Sequence, residues 1–321
     1  MSAPRHGSLG VRPRKRAASI VARVRSWASV DESKPLGFPA YKVGMYHAIV
    51  VDNYPTSPTH GREVFRALTM LEAPPAVLVA IRYYGSDGLG GETSIGEVWT
   101  RNLPKSAARL LVPPKQAAKG IGASIKDRAS RVSLLLMTQP EKSGLSKKTP
   151  EIVEVPLGGK LSEQFVFESK LGKEIAASEV FSPPEVIDAI AVSRGKGYEG
   201  PVARFGIKVI QKKKAKKTKR GPGSDSPLTP SAVMSSVPRA GQMGFHNRVD
   251  LNVVIMEIKD KPEGMVPKAG FKHYGVPRSS LLVVEGSVPG ATKRLVLLRK
   301  AVRSYTTVPK EIPEVQFVSV R

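Results

Sequence analysis

Residues 40–51 have the sequence AYKVGMYHAIVV, and this stretch, with others like it, decides the fold class. We interpret it as two short β-strands, 40–45 and 47–51, because β-branched and aromatic residues favour strands. The segment PAVLVAI at 75–81 has the same character and begins at a proline. After residue 179, strands are predicted at 186–192, 205–210, 251–258, 281–285 and 295–298. Many short strands separated by Gly and Pro predict a mainly-β protein built on a small barrel or sandwich.

The section between about residues 98 and 178 has a different composition, with segments rich in Ala, Lys and Arg. Helices are predicted at 104–111, 116–131 and 161–171, and strands at 134–137 and 152–155. This mixture predicts an α+β insertion with an all-β region on either side of it. The segment 85–96 contains five glycines and is predicted to be a loop.

Positive charge is concentrated in two stretches that contain no acidic residue. Residues 1–30 contain seven Arg and Lys and residues 200–224 contain nine, which together account for +16 of the formal net charge of +24. Charge of one sign concentrated in this way is typical of a surface that meets a polyanion. A solubilising face usually mixes both signs, and Arg both pairs with phosphate and stacks on exposed bases, so we favour RNA contact. No hydrophobic pattern runs through 211–235, so we expect this loop to order on an outside partner.

Several classes of protein are disfavoured by what the chain lacks. It has no Cys, which excludes disulfides, Cys-based zinc sites and thiol catalysis. Its five histidines have no metal-ligand spacing, and neither a nucleotide-binding glycine motif nor a G-x-S-x-G elbow is present. We interpret Glu151 and Glu154 as the charged face of an exposed strand. We therefore expect no enzyme, metal or cofactor, although a dispersed Ser-His-Asp set stays open.

No apolar run approaches 18 residues, so no transmembrane helix is predicted. Basic residues between 12 and 25 interrupt any apolar signal segment, although an organellar transit peptide within residues 1–30 stays an alternative. Two competing functional classes also stay open: an RNA-processing enzyme, and a basic protein that compacts DNA.

Three smaller features suggest contact with phosphate. The segment GKGYEGP at 195–201 places Lys196 among three glycines, which would let backbone N–H groups and an ammonium approach a phosphate. A plain hairpin turn is the alternative. His6 and His246 each lie near basic residues, so each is interpreted as a phosphate or base contact, with a solvated or packed imidazole as the alternative.

Particular segments, in order and at matching spacing, resemble the large-subunit ribosomal protein three family in its archaeal and eukaryotic form. They are PRHGSL at 4–9, PRKRA at 13–17, SW at 26–27, FPAYKVGM at 38–45, EVWT at 97–100, the segment 189–205, VPRAGQMGFH at 237–246, and GSVPGA at 286–291 with the basic pair 293–294. These segments are dispersed over essentially the whole chain.

The resemblance implies a small closed β-barrel of the translation-protein type with an α+β insertion and two long basic extensions. The corresponding bounds are a basic arm at 1–35, a barrel domain at 36–97 and 179–321, an insertion at 98–178, and a basic extension loop at 208–245. It implies a structural constituent of the cytoplasmic ribosome that binds large-subunit rRNA, reaches toward the peptidyl-transferase centre and supports early subunit assembly. Large-subunit rRNA and neighbouring ribosomal proteins are the expected partners. No membrane, small-molecule substrate, cofactor or homo-oligomer is expected.

The residues expected to bind rRNA are mostly the basic residues of the two acid-free stretches and of the segments around them. They are Arg5, His6, Arg12, Arg14, Lys15, Arg16, Arg23, Arg25, Lys196, Arg204, Lys208, Lys212, Lys213, Lys214, Lys216, Lys217, Lys219, Arg220, Arg239, Gln242, His246 and Arg248. One departure limits the resemblance. Many eukaryotic members have tryptophans at the tip of the central extension, whereas residues 227–236 here read PLTPSAVMSS and contain no aromatic residue. A gating role for tryptophan, and a histidine modification at this tip, are therefore not assigned.

Overall fold

The protein is represented by a computed structural model that describes residues 11–112, 123–215, 218–226, 229, 231–261, 264–267, 269–303 and, for the backbone, 315–318. The described part is mainly β, which confirms the mainly-β character of the predicted fold class. Its strands are β1 Gly37–Val51, β2 Glu63–Glu72, β3 Ala76–Ser86, β4 Glu92–Trp99, β5 Arg131–Met137, β6 Ile152–Pro156, β7 Glu174–Ile175, β8 Glu185–Val192, β9 Gly197–Glu199, β10 Gly241–Met243, β11 Asn247–Lys259, β12 Leu281–Glu285, β13 Leu295–Lys300 and β14 Val315–Val318.

Helices are short in the described residues. The α-helices are α1 Ala123–Arg128, α2 Leu161–Gln164 and α3 Pro201–Phe205. Four 3₁₀ helices cover Lys105–Arg109, Pro140–Lys142, Phe165–Lys170 and Ala177–Glu179. The predicted helix at 161–171 is thus one α-helical turn continued as a 3₁₀ helix. The predicted helix at 116–131 lies partly outside the described residues, and its last residue instead begins β5.

The chain forms two compact units. The first, here called the arm–extension unit, comprises Met1–Ile20 and Val192–Asn247. The second, here called the sheet unit, comprises Val21–Ala191 and Arg248–Arg321. The sheet unit contains a seven-stranded sheet in the order β13-β8-β11-β12-β2-β1-β14, in which β1 also pairs with β13. It also contains a five-stranded sheet in the order β4-β3-β5-β6, with β7 paired to β3.

Strand β3 pairs with both β4 and β5, so this sheet joins strands on either side of residue 97, where the sequence bounds end the first barrel segment. Those domain bounds stay a prediction, and so does a closed barrel.

Strand β1 shows why these segments form a core. Its first seven residues are all buried, and its second half alternates between more and less exposed residues, as expected for a strand with one face toward solvent. Gly37 pairs with Arg299 of β13, and a Cβ there would lie 2.4 Å from the carbonyl oxygen of Leu298. Only glycine therefore allows the two backbones to approach so closely.

Two sequence predictions are wrong in instructive ways. The predicted strand at 205–210 is not formed, because its first residue ends helix α3 and the next, Gly206, caps the helix with a left-handed φ of 68°. Proline at the first helical position and glycine just past the end are helix signals that outweigh the apolar residues here. The predicted loop at 85–96 is also too long, since β3 continues to Ser86 and β4 begins at Glu92.

Glu151 is not part of an exposed face as predicted. The residue is 6% exposed, and its carboxylate accepts hydrogen bonds from the Tyr41 hydroxyl at 2.6 Å and from the Lys147 ammonium. Burial, together with the nearby Glu151 charge, raises the pKa of the Tyr41 hydroxyl far above its usual value. Tyr41 is therefore a neutral donor that ties β1 to the residues just before β6. Glu154 is partly exposed and pairs with Arg82.

Candidate nucleic-acid interface

The arm–extension unit carries most of the excess charge of the protein. Its sequence contains 17 Arg and Lys and two acidic residues, Glu199 and Asp225. The second acid-free stretch and the first twenty residues of the other belong to this one unit, although residues 31–199 separate the two stretches in the chain. The structure thus brings together charges that the sequence shows only as separate runs.

Helix α3 provides the aromatic centre of this unit. Phe205 is 8% exposed, and three guanidinium groups lie near its ring, with Cζ-to-centroid distances of 4.2 Å for Arg14 and 5.1 Å for both Arg12 and Arg204. A cation near an aromatic face is attracted by the ring quadrupole, which contributes roughly 0.5–1 kcal/mol at exposed sites and more when desolvated. The Phe205 ring therefore lies close to cations of both the arm and its own helix.

Arg204 joins three segments by donating to backbone carbonyls. Its Nε donates to the Gln242 oxygen at 3.0 Å and its Nη1 to the Arg239 oxygen at 2.9 Å. Its Nη2 donates to the Arg14 oxygen at 3.3 Å, and the Arg14 guanidinium in turn donates to the Arg204 oxygen. These bonds occupy the Arg204 fork, so this side chain supports the site by holding the arm, α3 and the segment before β10 together.

His246 lies at a second junction and is 7% exposed. Its ring Nδ1 lies 2.8 Å from the Lys15 carbonyl oxygen. Its main-chain N–H donates to Ser193 Oγ at 3.1 Å, and its main-chain carbonyl accepts from the Ser193 N–H at 2.9 Å. This geometry supports the packed-imidazole alternative. Because the main chain of Lys15 is fixed while its side chain is exposed, the histidine presents a basic residue to solvent.

Phe245, next to His246, fixes the following part of the arm. Its carbonyl accepts from the Ala17 N–H at 2.8 Å, and the Arg16 guanidinium lies 5.4 Å from its ring centroid. A Cβ at the preceding residue, Gly244, would lie 2.0 Å from the Arg194 oxygen, and its φ is 70°. Glycine is therefore required at this turn.

The Gly-Lys-Gly segment forms one edge of a small two-stranded sheet. Strand β9 pairs with β10 so that Tyr198 lies opposite Gln242, and the Lys196 N–H donates to the Met243 oxygen at 2.9 Å. The Gln242 amide donates to the carbonyls of Met243 and Gly244 at 3.3 and 3.0 Å, so it supports the turn. The Lys196 side chain is exposed, which leaves its ammonium to a partner from outside.

Most of the other predicted residues of this unit are exposed cations. Exposed side chains belong to Lys15, Arg16, Lys196, Lys208, Lys212, Lys213, Lys214, Lys219, Arg220 and Arg239. Arg239 forms an ion pair with Asp225, whereas the other nine form no ion pair with an acidic residue of the described chain. In the extension, the Ile210 N–H donates to the Lys219 carbonyl oxygen at 3.0 Å, so the two ends of the lysine run lie close together.

Not every predicted residue joins this surface. Arg23, Arg25 and Arg248 belong to the sheet unit, where the first two are exposed and Arg248 is partly buried. Arg5, His6, Lys216 and Lys217 lie outside the described residues. The sequence predictions missed Phe205, Phe245 and Tyr198, whose signal was an aromatic residue beside Arg, His or the Gly-Lys-Gly motif.

The described part of the chain shows neither a cluster of metal-ligating side chains nor a helix that could span a membrane. Its acidic and histidine side chains include no group of three or more that could hold a metal ion. None of its helices has the length and apolar character needed to span a bilayer.

In the described residues, a mainly-β fold thus carries a unit with nine exposed cations that have no acidic partner. Comparison with known proteins identifies the family: the family model described as Ribosomal protein L3 matches residues 1–320, so the chain belongs to this family. It is a family of structural ribosomal components and not of enzymes.

Similar proteins cover nearly the whole chain. The large ribosomal subunit protein uL3 of Pyrobaculum calidifontis is 45% identical over 328 aligned positions, which cover 98% of this chain and 97% of that protein. The large ribosomal subunit protein uL3 of Methanocaldococcus jannaschii is 42% identical over 322 positions, covering 98% and 96%. That of Archaeoglobus fulgidus is 42% identical over 305 positions, covering 94% and 92%. The family resemblance inferred from sequence motifs is confirmed.

Proposed function

We propose that this member of a large-subunit ribosomal family binds large-subunit rRNA through its arm–extension unit. The observation that carries the proposal is the set of nine exposed cations in that unit that have no acidic partner within the described residues. Family membership makes the chain a protein of the cytoplasmic ribosome, where a surface of this kind would meet rRNA and neighbouring ribosomal proteins. We do not expect it to form homo-oligomers or to contact a membrane.

The proposed action is electrostatic. Phosphates of converging rRNA helices repel one another, and cations supplied from a folded support would reduce this repulsion and so support early subunit assembly. Each contact with a single-strand phosphate contributes about −0.7 to the slope of log affinity against log salt, so about ten contacts would weaken binding by several orders of magnitude between low and moderate salt.

We further propose that the extension at 208–245 reaches from a closed barrel toward the peptidyl-transferase centre. Its composition supports a path through RNA, because the run at 212–220 is almost entirely Lys and Arg. The domain bounds given above, including an insertion at 98–178, belong to the same proposal.

The decisive experiment compares two variants of equal charge change. In the first, five exposed cations of the extension are changed to glutamine: Lys212, Lys213, Lys214, Lys219 and Arg220. In the control, five exposed lysines of the sheet unit are changed to glutamine: Lys105, Lys148, Lys173, Lys261 and Lys272. We expect the first variant to lose rRNA affinity and incorporation into large subunits on sucrose gradients, and the control to retain both.

Deletion of residues 208–235 should leave the rest of the protein folded but impair subunit assembly. Normal incorporation of the deletion variant into mature subunits would contradict the proposal. Tight binding to duplex DNA, with no salt-resistant association with the subunit, would instead indicate a DNA-compacting protein.

A further inference from the structure

The side chain of Tyr198 is an unexplained feature of the arm–extension unit. It is 79% exposed and, within the described residues, it makes no ring contact and no side-chain hydrogen bond. Phe65 is the other aromatic residue with high exposure in the described chain, and its ring centroid lies 4.5 Å from that of His47. Tyr198 thus differs from Phe65 because no aromatic or cationic side chain of the described residues makes a ring contact with it.

Glycines keep the surroundings of the tyrosine open. Gly197 has a left-handed φ of 72°, and a Cβ built there or at Gly200 would meet no other atom within 4 Å. The residue opposite in the ladder, Gln242, uses its amide for backbone carbonyls and gives the ring neither an aromatic nor a cationic neighbour. Neither Gly197 nor Gly200 therefore has a side chain that could cover the ring.

The ring is nevertheless held firmly at its base. Strand β9 pairs with β10 over three residues, and the Arg204 guanidinium donates to the carbonyl of Gln242, directly opposite Tyr198. A side chain with two rotatable bonds on a fixed backbone loses little conformational entropy when a ligand covers it. An exposed apolar ring on such a support suits a flat partner that removes it from water.

The neighbouring charges indicate the chemistry of that partner. Lys196, two residues earlier, has an exposed side chain, and so does Arg194. An exposed ring in a segment that also has two exposed cations matches a nucleotide, whose base has a π face and whose phosphate is anionic. A protein partner would more often need a larger apolar patch than a single tyrosine.

We propose that Tyr198 is a stacking platform for one unpaired RNA base, with Lys196 contacting the adjoining phosphate. The inference rests on the proposed function, since it names a specific nucleotide site within the rRNA-binding unit. It assigns the site a preference for single-stranded over duplex RNA, because a base paired within a helix cannot cover the ring.

The test measures binding of the full-length protein to a short oligouridylate and to the duplex that it forms with oligoadenylate. Tyr198→Leu should weaken binding to the single strand by about 5- to 150-fold, the range measured for the loss of one stacked base, and leave the salt slope unchanged. Tyr198→Phe keeps the ring and should bind as the wild type does. Binding to the duplex should be the same in all three proteins.

Two control variants separate stacking from charge and from general surface effects. Lys196→Gln should reduce the magnitude of the single-strand salt slope by about 0.7, the share of one phosphate contact. Phe65→Leu removes the other exposed aromatic ring, in the sheet unit, and should leave binding to the single strand unchanged.

Each outcome is decisive. Unchanged binding of Tyr198→Leu to oligouridylate overturns the stacking site while leaving the proposed rRNA binding intact, provided that the wild type shows salt-dependent binding. A wild type that binds neither RNA overturns both. If Tyr198→Leu binds RNA normally but no longer co-sediments with the large subunit, the ring contacts a protein and the inference is wrong.

Discussion

Different interactions stabilise the interior of the sheet unit and that of the arm–extension unit. The sheet unit contains 34 Arg and Lys against 25 acidic residues, and its two hydrophobic clusters contain nearly all the buried apolar side chains. In the arm–extension unit the basic residues outnumber the acidic ones by 17 to two, and no described residue of it belongs to either cluster. Arginine-to-carbonyl hydrogen bonds and cations beside Phe205 and Phe245 replace a core there.

This difference has a functional meaning. A unit organised by guanidinium bonds keeps its fold while its other cations stay available to an outside anion. Self-repulsion among the unpaired cations opposes compaction, so the unit should become more stable when RNA neutralises them. The sheet unit is instead stabilised by its two hydrophobic clusters.

The largest expected effect lies in the sheet unit, at Glu72. This fully buried carboxylate accepts bonds from the Ser279 N–H and hydroxyl at 2.9 and 3.0 Å, from the Arg278 N–H at 2.6 Å, and from Gly144 and Tyr274. Glu72→Ala leaves several donors buried without an acceptor, which should reduce the free energy of unfolding by at least about 3 kcal/mol. Urea denaturation of the full-length protein measures the change.

Glu97→Gln is the matched control for Glu72, because Glu97 pairs with Arg82 at the surface of β4. This substitution should reduce the free energy of unfolding by less than about 1 kcal/mol. Equal effects of the two substitutions would show that the buried carboxylate is not a structural centre of the sheet unit.

The second prediction concerns Arg204, the corresponding centre of the arm–extension unit. Arg204→Ala removes three hydrogen bonds that the guanidinium donates, each of which contributes about 1–1.5 kcal/mol to stability. Amide hydrogen exchange at residues 194–206 and 241–246 should therefore become faster. The unfolding midpoint of the sheet unit should not change. Lys208→Ala, an exposed neighbour, should leave exchange as in the wild type. A lower midpoint for the sheet unit would contradict the division into two separately stabilised units.

The third prediction is a dependence of sheet-unit stability on pH. Burial alone would raise the pKa of Asp52, but hydrogen bonds from Ser57, Thr59 and the Tyr54 N–H, with the charge of Arg66, outweigh it and lower the pKa to about 2. A lowered pKa means that stability is fully present above the unfolded value near 3.8 and is lost as the pH falls through about 2.

Asp52→Asn should therefore reduce the free energy of unfolding by about 1–2 kcal/mol at neutral pH and by much less near pH 2. Thermal denaturation as a function of pH measures this convergence. A constant difference between the two proteins at every pH would mean that the carboxylate charge has no role in the turn between β1 and β2.

Sequence reasoning predicted the parts whose signal is local. Strands β1, β3, β5, β8 and β13 are runs of apolar residues, so their burial and extended form could be predicted from periodicity and propensity. Strand β2, EVFRALTMLE, was missed because its first half faces solvent and carries Glu63 and Arg66. A half-exposed strand with charged residues resembles a loop or helix until its pairing partners are known.

The candidate site was predictable as a set of charges but not as an arrangement. The sequence shows which stretches lack acidic residues, whereas the roles of Arg204 and His246 depend on carbonyls of the arm, which lie 190 and 231 positions away in the chain. No sequence pattern encodes a carbonyl position. Tyr198 lies within the GKGYEGP segment, but its proposed role follows from an exposure that only the fold reveals.

The smallest expected effect compares single cations from the two units. Lys213 of the extension and Lys148 of the sheet unit are both exposed, and neither pairs with an acidic residue of the described chain. Lys213→Ala should reduce the magnitude of the salt slope for rRNA binding by about 0.7 to 0.9, whereas Lys148→Ala should not change it. The free energies of unfolding of both variants should lie within about 0.5 kcal/mol of the wild-type value, since exposed single charges contribute little to stability. Filter binding over a range of salt concentrations measures the slopes, and equal slopes for the two variants would mean that the charge asymmetry between the units does not direct RNA binding.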